Sequence, residues 1–356
     1  MNIYSFKDAS NLLNKLLEEK YDVIINSNSH IMSLLAAFIE DTTRIITVSH
    51  SLGTMDCDNA AFNNKYIDNI IALSNSCKDY ICHRFNLRNS EKVKVVFNSV
   101  AGVPNSENMR SAKKNTGVVK IVFAGGSAAS KSPDIIVPII QELCKTDLSF
   151  EFYWLGITTP PLKRFQPFKD IRYILPKDDR VIVTGLIPQR EAAEIIASCN
   201  VFLAPSRREG FPMALLEAMR VGCIPIVSDF KIANREIIQN GKNGYVIPHN
   251  IVKDFVDKLV DICKNHANYY KIYDESYKTF VEELSFPIWR NKIVSVIKES
   301  KSFHKTRKKI SPFVFKQVVY RFKLLDKYNL IENHITEVLP CAIKFFKYYK
   351  NIKICR

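Results

Sequence analysis

Two glutamates flank the start of a predicted helix, and they are the residues of this 356-residue sequence best suited to chemistry. Glu209 and Glu217 stand on either side of Gly210 and Pro212. Gly210 permits a tight turn, and Pro212 suits the first helical position because its φ is fixed and it lacks an N–H. A helix that begins here presents unpaired N–H groups and the positive end of its dipole, which together favour a phosphate.

The position of Glu217 relative to that helix start suits a nucleotide. Glu217 follows Pro212 by five residues, or about 7–8 Å along an α-helix, which is close to the separation of a diphosphate and a ribose. Its carboxylate can accept two hydrogen bonds from the ribose hydroxyls. Glu209, on the loop side, would face a sugar at the other end of the diphosphate. The alternative interpretation is two solvated glutamates, one on a loop and one on an amphipathic helix.

Residues 205–219, with segments 183–187 and 227–245, closely resemble glycosyltransferase family 4, whose fold is GT-B. The resemblance extends over about residues 20–300 and implies a retaining transferase that uses a nucleotide-sugar donor.

In the E-x7-E motif of that family, Glu209 would contact hydroxyls of the donor sugar and Glu217 would bind the ribose. The backbone of Gly210, Phe211 and Pro212 would lie against the sugar and the distal phosphate. The sequence departs from the family at a second motif, where Gly126 stands in place of an arginine.

The resemblance implies further site residues. Lys131 matches a phosphate-binding lysine of the family. Apart from the resemblance, we expect Arg207 or Arg208, on the facing loop, to substitute for the arginine missing at position 126. His50 resembles a histidine at a strand end that faces the donor sugar near the reaction centre. We take Glu209 and His50 as the candidate catalytic residues.

A competing motif, Asp56-Cys57-Asp58, has the D-x-D pattern with which another glycosyltransferase fold binds a metal and a diphosphate. No long apolar strand precedes it here, because residues 51–55 read Ser-Leu-Gly-Thr-Met. We therefore expect no metal and no cofactor. The resemblance implies that a lysine and a helix dipole neutralise the leaving diphosphate of a UDP- or GDP-linked sugar instead, as in GT-B transferases of this type.

Short apolar runs alternate with helical patterns along the chain, which predicts an α/β protein with parallel sheets. We predict two Rossmann-like domains, 1–105 on the acceptor side and 117–300 for the nucleotide-sugar, facing each other across a cleft. The predicted strands include residues 21–25, 44–48, 69–73, 93–97, 119–124, 150–155, 181–184, 201–204 and 224–227.

The first domain is predicted to be reduced, because only about twenty residues precede the segment that resembles the family. Its sheet would then expose a hydrophobic edge, which proteins seldom leave bare. The C-terminal segment, a protein partner or self-association would cover that edge.

Charge is concentrated in the C-terminal tail, residues 301–356. Fourteen Lys or Arg and three acids give this tail +11 of the +15 net charge. Apolar and aromatic residues recur in it at helical spacing with basic residues between them, at Phe315, Val318, Val319, Phe322 and Leu325. A basic, aromatic helical segment suits an anionic membrane surface, whereas the alternative is a helix docked on the body with a solvated basic face. Nothing in the body of the chain favours a nucleic-acid partner.

The nine cysteines are scattered, odd in number and without zinc-ligand spacing, which predicts reduced thiols in the cytoplasm. The sequence predicts no membrane-spanning helix and no secretory signal. We therefore interpret the chain as cytoplasmic, either free or peripheral at the cytoplasmic membrane face. The family resemblance implies a hexosyltransferase of polysaccharide or lipopolysaccharide biosynthesis. Its acceptor would be a lipopolysaccharide or a lipid-linked oligosaccharide. The alternatives are a non-catalytic or partner-dependent glycosyltransferase-like subunit and a GT-B nucleotide-sugar epimerase.

Overall fold

The computed structural model describes residues 6–39, 42–51, 54–87, 90–101, 113, 117–126, 129–157, 174–207, 211–229, 234–248 and 251–299. These residues fall into two compact units. Of the described residues, the first unit contains those from Phe6 to Ala72, from Cys77 to Val95 and from Ser295 to Glu299, and the second contains Leu73–Ser76 and those from Val96 to Val294.

A four-stranded parallel sheet forms the centre of the first unit. Its strands are ordered β1-β2-β3-β4, so β1 is an edge strand and its Ile25 is 47% exposed. The alternation of strands and helices gives this all-parallel sheet its crossover connections. The elements are α1 (Phe6–Glu19), β1 (Val23–Ser27), α2 (His30–Leu35), β2 (Arg44–Ser49), α3 (Thr54–Ala61), β3 (Asn69–Ala72), α4 (Asn75–Arg84) and β4 (Val93–Val95), with 3₁₀ turns at Asn64–Tyr66 and Ser90–Lys92.

A six-stranded parallel sheet forms the centre of the second unit, in the order β10-β9-β8-β5-β6-β7. Its strands are β5 (Val119–Ala124), β6 (Phe150–Leu155), β7 (Val181–Val183), β8 (Val201–Ala204), β9 (Ile224–Ser228) and β10 (Tyr245–Ile247). Its helices are α5 (Pro133–Cys144), α6 (Gln189–Ser198), α7 (Met213–Arg220), α8 (Asn234–Ile237), α9 (Val252–Lys264), α10 (Tyr270–Thr279) and α11 (Phe286–Glu299). The last residues of α11, from Ser295, belong to the first unit. Short 3₁₀ turns lie at Ala129–Lys131 and His266–Tyr269, and a π-helical turn lies at Phe280–Leu284.

Side chains of the central strands alternate between two cores, one on each face of this sheet. In β5, Ile121 and Phe123 belong to one core, whereas Val122 belongs to the other. In β8, Leu203 and Phe202 divide in the same way. Both faces are therefore buried, which explains why these strands read as continuous apolar runs.

The predicted α/β class with parallel sheets is confirmed, and β5, β6 and β8 have the predicted bounds. The sequence analysis did not predict β10. The unit boundaries differ from the predicted domains, because residues 96–101 belong to the second unit, where Phe97 and Val100 pack in its core. The tail, residues 301–356, lies outside the described residues. No helix within the described ranges has the length and apolar character needed to cross a membrane.

Candidate functional site

The second sheet has a topological switch point between β5 and β8. From β5 the chain continues to β6 and β7 on one side, and then crosses to β8, β9 and β10 on the other. Open α/β sheets bind ligands at such a point, outside the carboxyl ends of the strands. Helices α5 and α7 begin beyond these strand ends, so two positive helix N-termini flank the same crevice. This arrangement favours an anion.

Lys131 ends the short 3₁₀ turn that connects β5 to α5. Its side chain passes over Gly125, where an added Cβ would lie 3.4 Å from the Lys131 Cδ and 2.6 Å from the Phe123 ring. A larger residue at position 125 would therefore clash with the Phe123 ring, whereas it would only touch the lysine. The Lys131 side chain thus lies beside Gly125, at the β5 side of the switch point.

Gly126 adopts a left-handed conformation, with φ of +61°. An added Cβ would lie 3.0 Å from the carbonyl oxygen of Gly156, and the Gly126 N–H donates to the Leu155 carbonyl at 3.2 Å. The indole Nε1 of Trp154 donates to the Gly126 carbonyl at 3.0 Å. An arginine at this position would be strained, which explains the departure from the motif. Both the N–H and the carbonyl of Gly126 are therefore hydrogen-bonded to β6 residues.

Arg207, directly beyond the buried Ser206 that follows β8, joins the two sides of the switch point. Its N–H donates to the Ser130 carbonyl at 2.9 Å, beside Lys131. Its guanidinium donates to both carboxylate oxygens of Asp134 in the first turn of α5, and these bonds raise the pKa of Arg207. The predicted replacement for the missing arginine therefore lies in the right region with its charge balanced by Asp134.

The prediction that Pro212 occupies the first helical position is wrong. Its ψ of 86° is not helical, and α7 begins at Met213. Pro212 is the N-cap instead, because its carbonyl accepts from the N–H groups of Leu215 at 3.0 Å and Leu216 at 3.3 Å. Although α7 begins one residue later than predicted, its N-terminus still follows the carboxyl end of β8 in the chain.

Glu217 lies in α7 between the buried residues Leu216 and Ala218 and is itself half-buried. Within the described part of the chain, no hydrogen bond or ion pair engages its carboxylate. A half-buried carboxylate without a protein partner is costly unless water or a ligand satisfies it. Phe211 packs against Phe97 with ring centroids 5.9 Å apart, so its ring belongs to the core and only its backbone can face a ligand.

Glu209, Gly210 and Arg208 lie outside the described residues. Their predicted roles therefore stay predictions.

His50 belongs to the first unit and follows β2. It is exposed, and its Nε2 lies 2.6 Å from the Oγ of Ser27 at the end of β1. The structure thus places His50 at the carboxyl edge of the first sheet, as the strand-end prediction requires.

The D-x-D motif lies in α3. Asp56 accepts hydrogen bonds from Asn28 at 2.5 Å and from Ser51. Asp58 is buried beside Arg84 at 3.7 Å, and burial raises its pKa while Arg84 partly offsets that effect. Residues two apart on a helix point about 200° apart, so the two carboxylates face different surroundings. This geometry does not suit a shared cation.

Sequence reasoning missed two residues of these sites, Asp134 and Ser27. Asp134 follows Pro133, the first residue of α5, and lies in the first turn of that helix. An acidic residue in the first turn of a predicted helix is the sequence feature that could have indicated it. Ser27 ends a strand that pairs with β2, and the parallel register brings it beside the residues that precede His50.

Residues 104–279 match the family model described as "Glycosyl transferases group 1". A putative colanic acid biosynthesis glycosyltransferase, WcaL of Salmonella typhimurium, is 27% identical over 44% of this chain and 38% of its own length. The chain thus spans well under half of that curated relative. The UDP-Gal:alpha-D-GlcNAc-diphosphoundecaprenol alpha-1,3-galactosyltransferase of Escherichia coli is 24% identical over 73% of this chain and 72% of its own length.

The fold is that of solved glycosyltransferases. The apo form of the lipopolysaccharide outer core galactosyltransferase WaaB aligns with a TM-score of 0.62 and 21% identity, over 82% of this chain and 79% of that chain. The family model covers the switch point, Lys131, Arg207 and Glu217. Residues 104–279 are therefore similar to group 1 glycosyl transferases, and the chain shares the fold of the WaaB structure.

Proposed function

We propose that this protein is a glycosyltransferase that moves a hexosyl group from a nucleotide-sugar to a surface-glycan acceptor. The observation that carries the proposal is Glu217, a half-buried carboxylate without a partner among the described residues, on the helix that starts at the switch point. A ribose would satisfy it with two hydroxyl donors, and the diphosphate would lie between Lys131 and the two helix N-termini.

The donor is a nucleoside diphosphate sugar, and UDP-galactose is the first to test because one relative uses UDP-Gal. The acceptor is a lipopolysaccharide or a lipid-linked oligosaccharide, which is supported by relatives named for a diphosphoundecaprenol acceptor and for lipopolysaccharide. Transfer proceeds with retention, as in family 4, with Glu209 and His50 as the candidate catalytic residues.

Lys131 and the helix termini stabilise the negative charge that develops on the leaving diphosphate. They supply the electrostatic contribution that a divalent cation provides in metal-dependent transferases, so the reaction needs no metal. Arg207 stabilises the leaving diphosphate less than a guanidinium without an acidic partner would, because the Asp134 carboxylate neutralises its charge.

A thermal-shift panel tests the proposal on the full chain. UDP-, GDP- and ADP-sugars are compared, and a ligand at one hundred times its Kd should stabilise the fold by about 2.7 kcal/mol. We expect one nucleotide class to raise the Tm, and Glu217→Gln to lose that rise. Glu194→Gln, on the exposed surface of α6 where Glu194 pairs with Arg190, is the matched control. A panel in which no nucleotide-sugar raises the Tm of the wild type contradicts the proposal.

The protein acts at the cytoplasmic face of a membrane, where its tail binds anionic lipid. The support is the +11 net charge of residues 301–356, because each Lys or Arg near such a surface contributes about 1 kcal/mol. Full-length protein should sediment with anionic vesicles, less so at high salt, and a chain truncated after Glu299 should not. Equal sedimentation of the two contradicts a membrane role for the tail.

A partner-dependent subunit is the second candidate function. It is favoured by β1, which pairs only with β2 among the described strands and exposes Ile25 at its edge. An unpaired strand edge is a template for another chain. Turnover by the purified protein alone would exclude this candidate.

A further inference from the structure

Cys57 and Cys77 bring their sulfur atoms together inside the first unit. Cys57 lies in α3 and Cys77 is the third residue of α4, and both side chains are almost fully buried. Both are free thiols, and their Sγ atoms lie 3.5 Å apart although 20 positions separate them in the sequence. A disulfide would require the two sulfurs to approach by about 1.5 Å, because an S–S bond is about 2.05 Å long.

The two thiols also hold the backbone at the end of β2, residues 49–51. The Cys57 thiol donates to the Ser51 carbonyl at 3.3 Å, and the Cys77 sulfur lies 3.9 Å from the same oxygen. The Ser49 Oγ lies 3.4 Å from the Cys57 sulfur and 3.5 Å from the Cys77 sulfur. The thiol pair therefore contacts both ends of this three-residue segment.

The segment between the thiols and solvent is short. Its middle residue, His50, is exposed, and Ser51 is half-buried. The hydrogen bond with Cys77 and burial raise the pKa of Cys57, so this thiol is neutral and reacts slowly with oxidants. Once one sulfur is oxidised, however, the other thiol already lies beside it. The arrangement favours capture of the oxidised sulfur as a disulfide over further oxidation.

We propose that Cys57 and Cys77 form a reversible disulfide when hydrogen peroxide is the oxidant, and that this disulfide releases segment 49–51. One sulfur attacks a peroxide oxygen, the O–O bond breaks, and an S–OH group and water result. The second sulfur then displaces that oxygen as water and the S–S bond forms. In total the two thiols lose two hydrogens and two electrons, and one peroxide becomes two waters.

Release of the segment follows from the loss of both S–H groups. Neither sulfur of a disulfide can donate, so the Ser51 carbonyl loses its bond from Cys57 and retains the bond from the Ser49 hydroxyl, at 3.1 Å. Weak thiol donors contribute little individually. The movement of both sulfurs towards each other, however, also changes their contacts with Ser49. The proposal is independent of the substrate of this protein.

Peptide mapping of the full chain tests whether the disulfide forms. After treatment with excess peroxide, remaining thiols are alkylated in denaturant, and trypsin separates residues 45–65 from 66–78, each of which holds one cysteine of the pair. We expect a species that joins the two peptides, lighter than their sum by two hydrogen atoms, and dithiothreitol should separate it. The half-buried Cys263→Ser is the matched control and should still form it, whereas Cys57→Ser should not. Alkylation of both thiols in the peroxide-treated wild type, without the joined species, would overturn the proposal.

Nuclear magnetic resonance tests whether segment 49–51 responds. Serine labelled with ¹³C at the carbonyl and leucine labelled with ¹⁵N select Ser–Leu bonds, and the sequence has two, at 33–34 and 51–52. Ser51→Ala removes one signal and so assigns both. Peroxide should shift the Ser51 carbonyl resonance and dithiothreitol should restore it, while Ser33 in α2 stays unchanged as the internal control. Cys57→Ser should not respond to peroxide. A joined peptide with an unchanged Ser51 resonance would overturn the release of the segment.

Discussion

Arg207 and Asp134 form a two-bonded ion pair that ties the loop after β8 to the first turn of α5. The pair stands beside Lys131, because the Arg207 N–H donates to the Ser130 carbonyl at 2.9 Å. The Asp134 carboxylate thus lies in the region where we propose that the diphosphate binds. Its negative charge opposes the ligand while it holds the arginine in place.

Neutralising Asp134 should tighten diphosphate binding. In Asp134→Asn the repulsion between the carboxylate and UDP is removed, which is worth about 1 kcal/mol or about fivefold in Kd. Calorimetry with UDP at low and high salt measures the change, and the gain should shrink as salt screens it. Asp257→Asn, on the exposed surface of α9, is the control. Equal or weaker UDP binding by Asp134→Asn contradicts this assignment.

Glu236 should contribute to stability as a helix cap. Its carboxylate accepts from the N–H groups of Asn75 at 2.7 Å and Ser76 at 3.1 Å, and from both of their side chains, at the start of α4. Glu236→Ala should lower the free energy of unfolding by about 1–3 kcal/mol. The shift of the urea midpoint measures this, with the exposed Glu142→Ala as control. A midpoint that moves no further than in the control would show that the cap is energetically unimportant.

His266 should make stability fall on mild acidification. It is half-buried against Tyr273, whose hydroxyl lies 2.6 Å from Nε2, and burial lowers the pKa of His266 below 6.5. The unfolded chain takes up the proton at a higher pH than the folded chain does. The contribution of His266 to the free energy of unfolding is therefore complete above pH 6.5. It is lost as the pH falls towards the folded pKa, by at most about 1.4 kcal/mol per pH unit.

Thermal unfolding between pH 8 and pH 5 measures the effect of His266. The Tm of His266→Gln should decrease less over this range than that of the wild type. Parallel Tm curves for the two proteins would show that His266 does not cause the dependence. Asp178 and Asp261 do not interfere, because hydrogen bonds lower their pKa values below 3.8.

Sugar transfer should persist in EDTA. Lys131 and the N-termini of α5 and α7 already supply positive charge at the switch point. Once an activity is found, we expect EDTA to leave its initial rate nearly unchanged. Loss of the rate in EDTA with rescue by Mn²⁺ would overturn the proposed neutralisation by lysine and helix dipoles.

The sequence was sufficient to predict β5, β6 and β8, because their apolar runs are buried on both faces and end in Gly or Pro. It did not predict β10, a strand of only three residues, Tyr245–Ile247. It placed the start of α7 one residue early, because Pro212 suits either the N-cap or the first helical position and only its ψ separates the two.

Partnerships between distant residues were beyond the sequence. Lys131 and Glu217 could be predicted as ligand-binding residues because each belongs to a local motif. The Arg207–Asp134 pair joins residues 73 positions apart, and the Ser27–His50 pair joins residues 23 apart. Such contacts depend on which strand ends become neighbours, and neither composition nor spacing specifies that order.

Calorimetric titration of UDP and uridine into the wild type and three variants tests whether the switch point of the second unit binds a nucleotide with Glu217 on the ribose and Lys131 on the diphosphate. Glu217→Gln should weaken UDP and uridine alike by about tenfold or more, because a hydrogen bond to a charged group is worth about 1.5–3 kcal/mol. Lys131→Ala should weaken UDP alone, and Glu194→Gln should match the wild type. Wild-type affinity for both ligands in Glu217→Gln would contradict the account.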